Sequence, residues 1–150
     1  MADTYSRIYI QLVFAVKRRQ CLIHHSFREE LQKYISGIIE KRNTKLIAIY
    51  CMPDHTHLLI GMKPSISLSN LVRDIKAGSS KFINNNLLVK EKFEWQKGFG
   101  AFSYGHSQLD IIIRYINNQE AHHIKNKFKD EYVLFLKKFE LNYHPDYIFE

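Results

Sequence analysis

From Ile8 to Val16 every second residue is apolar, in the series Ile8, Ile10, Leu12, Phe14 and Val16. Side chains of an extended chain point alternately to two faces, so this run is a strand with one wholly apolar side that another layer must cover. Later strands extend it into a sheet. Residues 46–51 form a short apolar run, Met52-Pro53-Asp54 reads as a turn, and residues 55–62 form a second run, which together make an antiparallel hairpin. Helical spacing separates these strands. Leu31, Tyr34, Ile35, Ile38 and Ile39 come after a capping-box pair, Ser26 and Glu29, and Asn43 ends that helix. Leu68, Leu71, Val72, Ile75, Phe82 and Ile83 make the next helix, which stops in Asn84-Asn85-Asn86. Phe93-Glu94-Trp95-Gln96 and Ala101-Phe102-Ser103-Tyr104 supply a further strand, interrupted by Gly98 and Gly100. The order strand-helix-strand-strand-helix-strand predicts an α+β, ferredoxin-like (split βαβ) unit, an antiparallel sheet with both helices on one face.

Two more helices complete the pattern. One starts at Ser107, with Asp110 at capping-box spacing, and runs to about Asn126; the other spans residues 129–139, with Tyr132, Phe135, Leu136 and Phe139 on one stripe. Residues 141–150 carry no readable pattern. The 150 residues, 45% hydrophobic, suit one domain: a core over 1–105 and the added helices over 106–140. No apolar run approaches the roughly 20 residues that span a membrane, and the N-terminus lacks the pattern of a signal peptide. The expectation is a cytoplasmic protein that does not enter the membrane, with its two cysteines, Cys21 and Cys51, as reduced thiols.

The formal net charge is +7, from 22 Lys and Arg against 15 Asp and Glu, which favours anionic partners such as nucleic acid. Arg73, Lys76 and Lys81 on the second helix are candidate phosphate contacts, as are Lys17, Arg18 and Arg19 after the first strand. A solvated helix face explains such residues equally well. Nine Tyr, ten Phe and one Trp offer stacking surfaces for unpaired bases, though most of them suit a core.

The hairpin carries the chemistry. In Asp54-His55-Thr56-His57-Leu58 the two histidines share a face and can share one metal ion, while Leu58 and Ile60 turn to the other side. Leu59 occupies the third alternating position, which excludes a histidine triad. Two imidazoles are an incomplete site, so further ligands must come from elsewhere. On the helix from Ser107, Leu109, Ile112, Ile113 and Ile116 make an apolar stripe. At about 3.6 residues per turn, Tyr115 and Gln119 fall together on its edge, with His122 next in line. Each signal alone is common: a His-x-His pair is often a surface or hydrogen-bonded pair, and Tyr-x-x-x-Gln is often ordinary packing.

Together they resemble the single-tyrosine HUH transposases, including those associated with chromosomal REP sequences. The likeness runs from Ile8 to about Leu136 and rests on three stretches: Met52-Pro53-Asp54-His55-Thr56-His57-Leu58-Leu59, Trp95-Gln96-Lys97-Gly98-Phe99-Gly100-Ala101-Phe102 and Tyr115-Ile116-Asn117-Asn118-Gln119-Glu120-Ala121-His122-His123. The resemblance implies that His55, His57 and Gln119 are ligands of a divalent ion, Mg²⁺ or Mn²⁺, and that Tyr115 is the nucleophile. It also implies a homodimer that excises and inserts a small insertion sequence as single-stranded DNA with hairpin ends, through a 5′-phosphotyrosine link. Family members more often carry Asn where this chain has Asp54, which would set a carboxylate near the metal. Three alternatives stand beside this reading: a domesticated endonuclease processing chromosomal palindromic repeats, a relaxase or replication-initiation nuclease, and a non-catalytic RNA-binding module of the same topology. The relaxase reading needs extra domains, and in the RNA module the histidines would occupy the sheet face that reads bases.

Overall fold

The computed structural model describes residues 3–125 and 127–149. Among them, strands β1 (Ile8–Ala15), β2 (Lys45–Cys51), β3 (His55–Met62) and β4 (Gly100–Tyr104) form one four-stranded sheet in the order β2-β3-β1-β4. Every neighbouring pair is antiparallel, with Ala15 opposite His55 and Val13 opposite His57. This is the ferredoxin-like order, and β3 with its histidines lies inside the sheet, hydrogen-bonded on both edges.

Helices α1 (Arg28–Lys41) and α2 (Leu68–Asn85) cover one face. The apolar side of β1 read from the sequence lies here: Leu12, Phe14 and Val16 pack with Leu58 and Ile60 of β3, Leu31, Ile35 and Ile39 of α1, and Leu71, Val72 and Ile75 of α2. Each large aliphatic side chain buried in this way contributes about 1.5–3 kcal/mol. Ser67 caps α2 by accepting from the Asn70 amide at 3.3 Å. The expected Ser26 cap is replaced by a 3-10 turn, His25–Phe27, that leads into α1 without a side-chain cap.

Three helices lie over the opposite face: α3 (Leu109–Asn117), α4 (Gln119–Lys125) and α5 (Phe128–Lys138). Val13, Leu59 and Phe102 of the sheet meet Ile112 and Ile116 of α3 and Phe128, Tyr132 and Leu136 of α5. An RNA-binding module of this topology needs that face open, and here it is buried.

Three further expectations are revised. The single helix expected from Ser107 is two helices that meet at Asn118, whose φ of −104° and ψ of 25° leave the helical region; its expected end, Asn126, lies outside the described residues. A 3-10 turn, His106–Gln108, precedes α3, and Gln108 Oε1 accepts from the Gly105 amide at 2.9 Å in place of a Ser107 cap. The strand expected across Phe93–Gln96 is reduced to a single bridge between Trp95 and Val16. Side chains hold that segment instead: Asn84 brackets Phe93, accepting from its amide at 2.8 Å and donating to its carbonyl at 3.0 Å, and the Trp95 indole donates to Ser79 Oγ at 2.8 Å. Both rings pack on Phe14 or on each other in the first core. No helix among the described residues is long and apolar enough to cross a membrane.

Candidate active site

β3 brings His55 and His57 to the face under α3 and α5, as their alternation requires, and both are buried. Each ring is oriented by its Nδ1. His55 Nδ1 lies 2.7 Å from Asp54 Oδ1; the carboxylate can only accept, so the ring proton is on Nδ1 and the lone pair on Nε2. That Nε2 is buried and has no hydrogen-bond partner. The ring is also stacked on Phe128, with centroids 3.7 Å apart and planes 10° from parallel. Burial lowers the His55 pKa to about 4, so the imidazole is neutral at neutral pH.

His57 Nδ1 lies 3.0 Å from Nε2 of the buried Gln11 on β1, and Gln11 Oε1 accepts from the Tyr104 hydroxyl at 3.0 Å. In this arrangement the amide donates to Nδ1 and the His57 proton sits on Nε2, facing Glu131 Oε1 at 2.9 Å. Exchanging the amide nitrogen and oxygen of Gln11 reverses the relay. His57 Nδ1 then donates to Gln11, Tyr104 accepts, and Nε2 presents its lone pair.

Glu131, on α5, is the hub of the site and only 4% exposed. Its Oε2 accepts from the Tyr115 hydroxyl and lies 2.9 Å from His122 Nε2 and 3.3 Å from His123 Nε2. Burial pushes the Glu131 carboxyl up, but hydrogen bonds from His123, His57 and Tyr115 outweigh it and hold the pKa well below the usual carboxylate range. Burial first, and then the Glu131 charge, pushes the Tyr115 phenol far above its ordinary value of about 10.

The residues singled out in the sequence are thus drawn together. The Tyr115 ring stands edge-on to His57, centroids 5.7 Å apart. Gln119, fully buried, donates to the Tyr115 carbonyl at 3.2 Å and accepts from His123 Nε2 at 2.9 Å. Among the described residues, His55, His57, His123 and Glu131 each offer one ligand atom, all within 4.8 Å of one another. The orphaned Nε2 of His55 within a set of imidazole and carboxylate donors fits a divalent cation.

Arg73, Lys76 and Lys81 lie across the sheet from Tyr115, on α2. Arg73 and Lys81 are exposed. Lys76 is half-buried and donates to the Gln96 and Gly98 carbonyls at 2.8 and 2.6 Å, tying α2 to the loop before β4. Sequence reasoning missed Glu131 and Gln11. A signal for Glu131 was present: it stands three residues after Phe128 and four before Phe135, a lone carboxylate on the apolar stripe of α5.

A half-buried tyrosine beside a histidine pair on a central strand of a ferredoxin-like sheet is the arrangement that marks the single-tyrosine HUH transposases as a class. The chain belongs to the IS200-like transposase family, which matches residues 4–119. The transposases for insertion sequence element IS200 of Salmonella typhimurium (strain LT2) and Salmonella typhi are each similar to it, 22% identical over 116 residues covering 74% of this chain and 76% of theirs. Among solved structures, a chain from Deinococcus radiodurans R1 described as a transposase has a TM-score of 0.65 and 21% identity, covering 79% of this chain and 95% of that one. A REP-associated tyrosine transposase bound to a REP hairpin has a TM-score of 0.60 and 17% identity, covering 82% of this chain and 73% of that one. These two likenesses are of fold.

Proposed function

We propose that this transposase cleaves and rejoins single-stranded DNA at insertion-sequence ends through a 5′-phosphotyrosine intermediate, with Tyr115 as nucleophile and His55, His57 and Gln119 holding a divalent ion, Mg²⁺ or Mn²⁺. The observation that carries this reading is the Tyr115 hydroxyl, turned into the histidine cluster and hydrogen-bonded there to Glu131. The bound ion supplies Lewis acidity, polarising a non-bridging oxygen of the scissile phosphate.

The protein groups do the rest. Glu131, already the acceptor for the Tyr115 hydroxyl, takes its proton as the phenolic oxygen bonds to phosphorus. The bond to the 3′ oxygen of the upstream strand breaks, and that oxygen leaves as a hydroxyl with the proton Glu131 has accepted, relayed through water, which returns Glu131 to its carboxylate. The phosphodiester to Tyr115 keeps the bond energy, so attack by another 3′ hydroxyl reverses the step without a nucleotide cofactor. Asp54 fixes the tautomer of His55, and the Gln11–Tyr104 pair sets that of His57.

The DNA partner is read as a single strand with hairpin ends, the stem phosphates meeting Arg73, Lys81 and the remaining N–H of Lys76; the neighbour solved on a REP hairpin supports that choice. The protein acts as a homodimer in this reading. Incubation with single-stranded DNA carrying candidate element ends, then denaturing electrophoresis, tests it: a protein–DNA adduct should form only with divalent metal. Cleavage in excess EDTA, or a free 5′ phosphate with no adduct at any time, would overturn it.

A further inference from the structure

We propose that before DNA binds, His123 and Glu131 are ligands of the same ion as His55 and His57, forming a closed four-residue centre that selects a transition metal over Mg²⁺. The proposal rests on the proposed function, in which the histidine pair holds a divalent ion, and adds ligands that lie beyond the family match ending at residue 119.

Four observations carry it. The ligand atoms of the four residues all lie within 4.8 Å of one another. Around an ion held tetrahedrally at about 2.1 Å from each, the ligand atoms would stand about 3.4 Å apart, so the widest-spaced pair closes by up to about 1.4 Å, within reach of side-chain rotation. The second observation is placement. Phe128 at the start of α5 is stacked on His55, and Glu131, one turn on, is delivered over the same pair by the helix that clamps the ring. The third is charge. Glu131 is buried, and among the described residues the groups in ion-pair contact with its carboxyl are all histidines. A divalent cation among these ligands would neutralise the buried carboxylate directly. The last is donor chemistry. Three imidazole nitrogens and one carboxylate oxygen suit Zn²⁺, Co²⁺ or Mn²⁺, while Mg²⁺ demands oxygen ligands in an octahedron and keeps its waters.

The two ligand sets describe successive states. His123 Nε2 cannot bind an ion and also donate to Gln119 Oε1, so in the closed centre Gln119 loses the contact it makes here at 2.9 Å. An incoming phosphate needs an open position, and Glu131, the one anionic ligand, is the group that the anionic phosphate displaces. Gln119 then takes up coordination as the carboxylate withdraws.

Cobalt titration of the DNA-free, full-length protein tests this through absorption and affinity, without an activity readout. Wild type should bind one Co²⁺ with the intense visible bands of four-coordinate cobalt, and a large excess of Mg²⁺ should fail to displace it. Glu131→Gln and His123→Ala should each weaken binding by at least about tenfold, no less than the loss of an outer-shell partner does. Gln119→Ala should weaken it far less. Circular dichroism confirms folding of each variant, and if Glu131→Gln does not fold, the half-buried His123 carries the test. Affinity lost in Gln119→Ala but kept in Glu131→Gln and His123→Ala would overturn the closed centre and leave the His-His-Gln site standing. Unchanged affinity in His57→Ala would remove both.

Discussion

Asp54 Oδ1 sits 2.7 Å from His55 Nδ1, and this bond decides which nitrogen of the imidazole faces the site. Burial raises the Asp54 carboxyl, but its contact with His55, the hydrogen bond foremost, outweighs this and keeps the pKa below its ordinary value, so the acceptor stays ionised. An Asn at this position can turn either its oxygen or its nitrogen toward the ring and fixes the tautomer less firmly. Asp54→Asn should therefore lower the affinity for Mn²⁺ by about 10-fold or more, within the range known for outer-shell partners of histidine ligands, with melting temperature little changed. Calorimetric titration gives the answer directly; equal affinities would remove Asp54 from the metal centre.

Tyr115→Phe deletes one hydroxyl and leaves the ring against His57 and Phe135. The covalent protein–DNA adduct should vanish while binding of the uncleaved strand changes less than about threefold, since phosphate contacts, and not this one hydroxyl, carry most of the affinity for DNA. Peptide mapping of the wild-type adduct supplies a second check, and DNA attached to Tyr104 or Tyr132 would refute the assignment.

Loss of the ion should silence cleavage without unfolding the chain, because the sheet and both cores are built from side chains that never touch it. Chelation by EDTA, or His57→Ala, should reduce the cleavage rate by at least about a hundredfold, the scale of a lost electrostatic stabiliser of the transition state. Far-ultraviolet circular dichroism should stay superimposable with that of the wild type. Restoration by Mn²⁺ should occur after chelation but not in the variant.

Arg73 and Lys81 are exposed, on the helix across the sheet from Tyr115. If each neutralises one DNA phosphate, Arg73→Ala and Lys81→Ala should each flatten the slope of log affinity against log salt by about 0.7–0.9. Lys76→Ala should act differently: it releases the Gln96 and Gly98 carbonyls and destabilises the fold by about 1–3 kcal/mol. Anisotropy titrations over a range of salt concentrations separate the two effects from a thermal melt.

The parts of this molecule legible in its sequence are those with a local period. The alternation of β1, the Pro53-Asp54 turn and the facing of His55 and His57 away from Leu58 and Ile60 come from a repeat of two, and the stripes of α1, α2 and α5 from a repeat near 3.6. The helical edge shared by Tyr115 and Gln119 was visible in the same way, although a bend at Asn118 lies between them. Long-range pairings left fainter traces. Gln11 is one polar residue on the second face of a strand, and its link to His57 and Tyr104 exists only once three strands are side by side. Glu131 reaches His57 across 74 residues of chain, so no spacing announces the pair. Phe93 and Trp95 looked like strand residues because they are apolar and alternate, yet core packing and Asn84 hold them without a ladder.

His55 and His57 lie on a strand whose amides are tied on both sides, so they loosen only when the sheet itself opens, the last event in native-state hydrogen exchange. Tyr115 and Gln119 ride on helices of nine and seven residues, too short to hold themselves up without the surface beneath them. The two halves of the chemistry thus have different mechanical character. One is an anvil set in the middle of the sheet, and the other is a hammer with a joint at Asn118. Travel needed to bring phenol and phosphate together falls on the hammer, which can swing without disturbing the anvil.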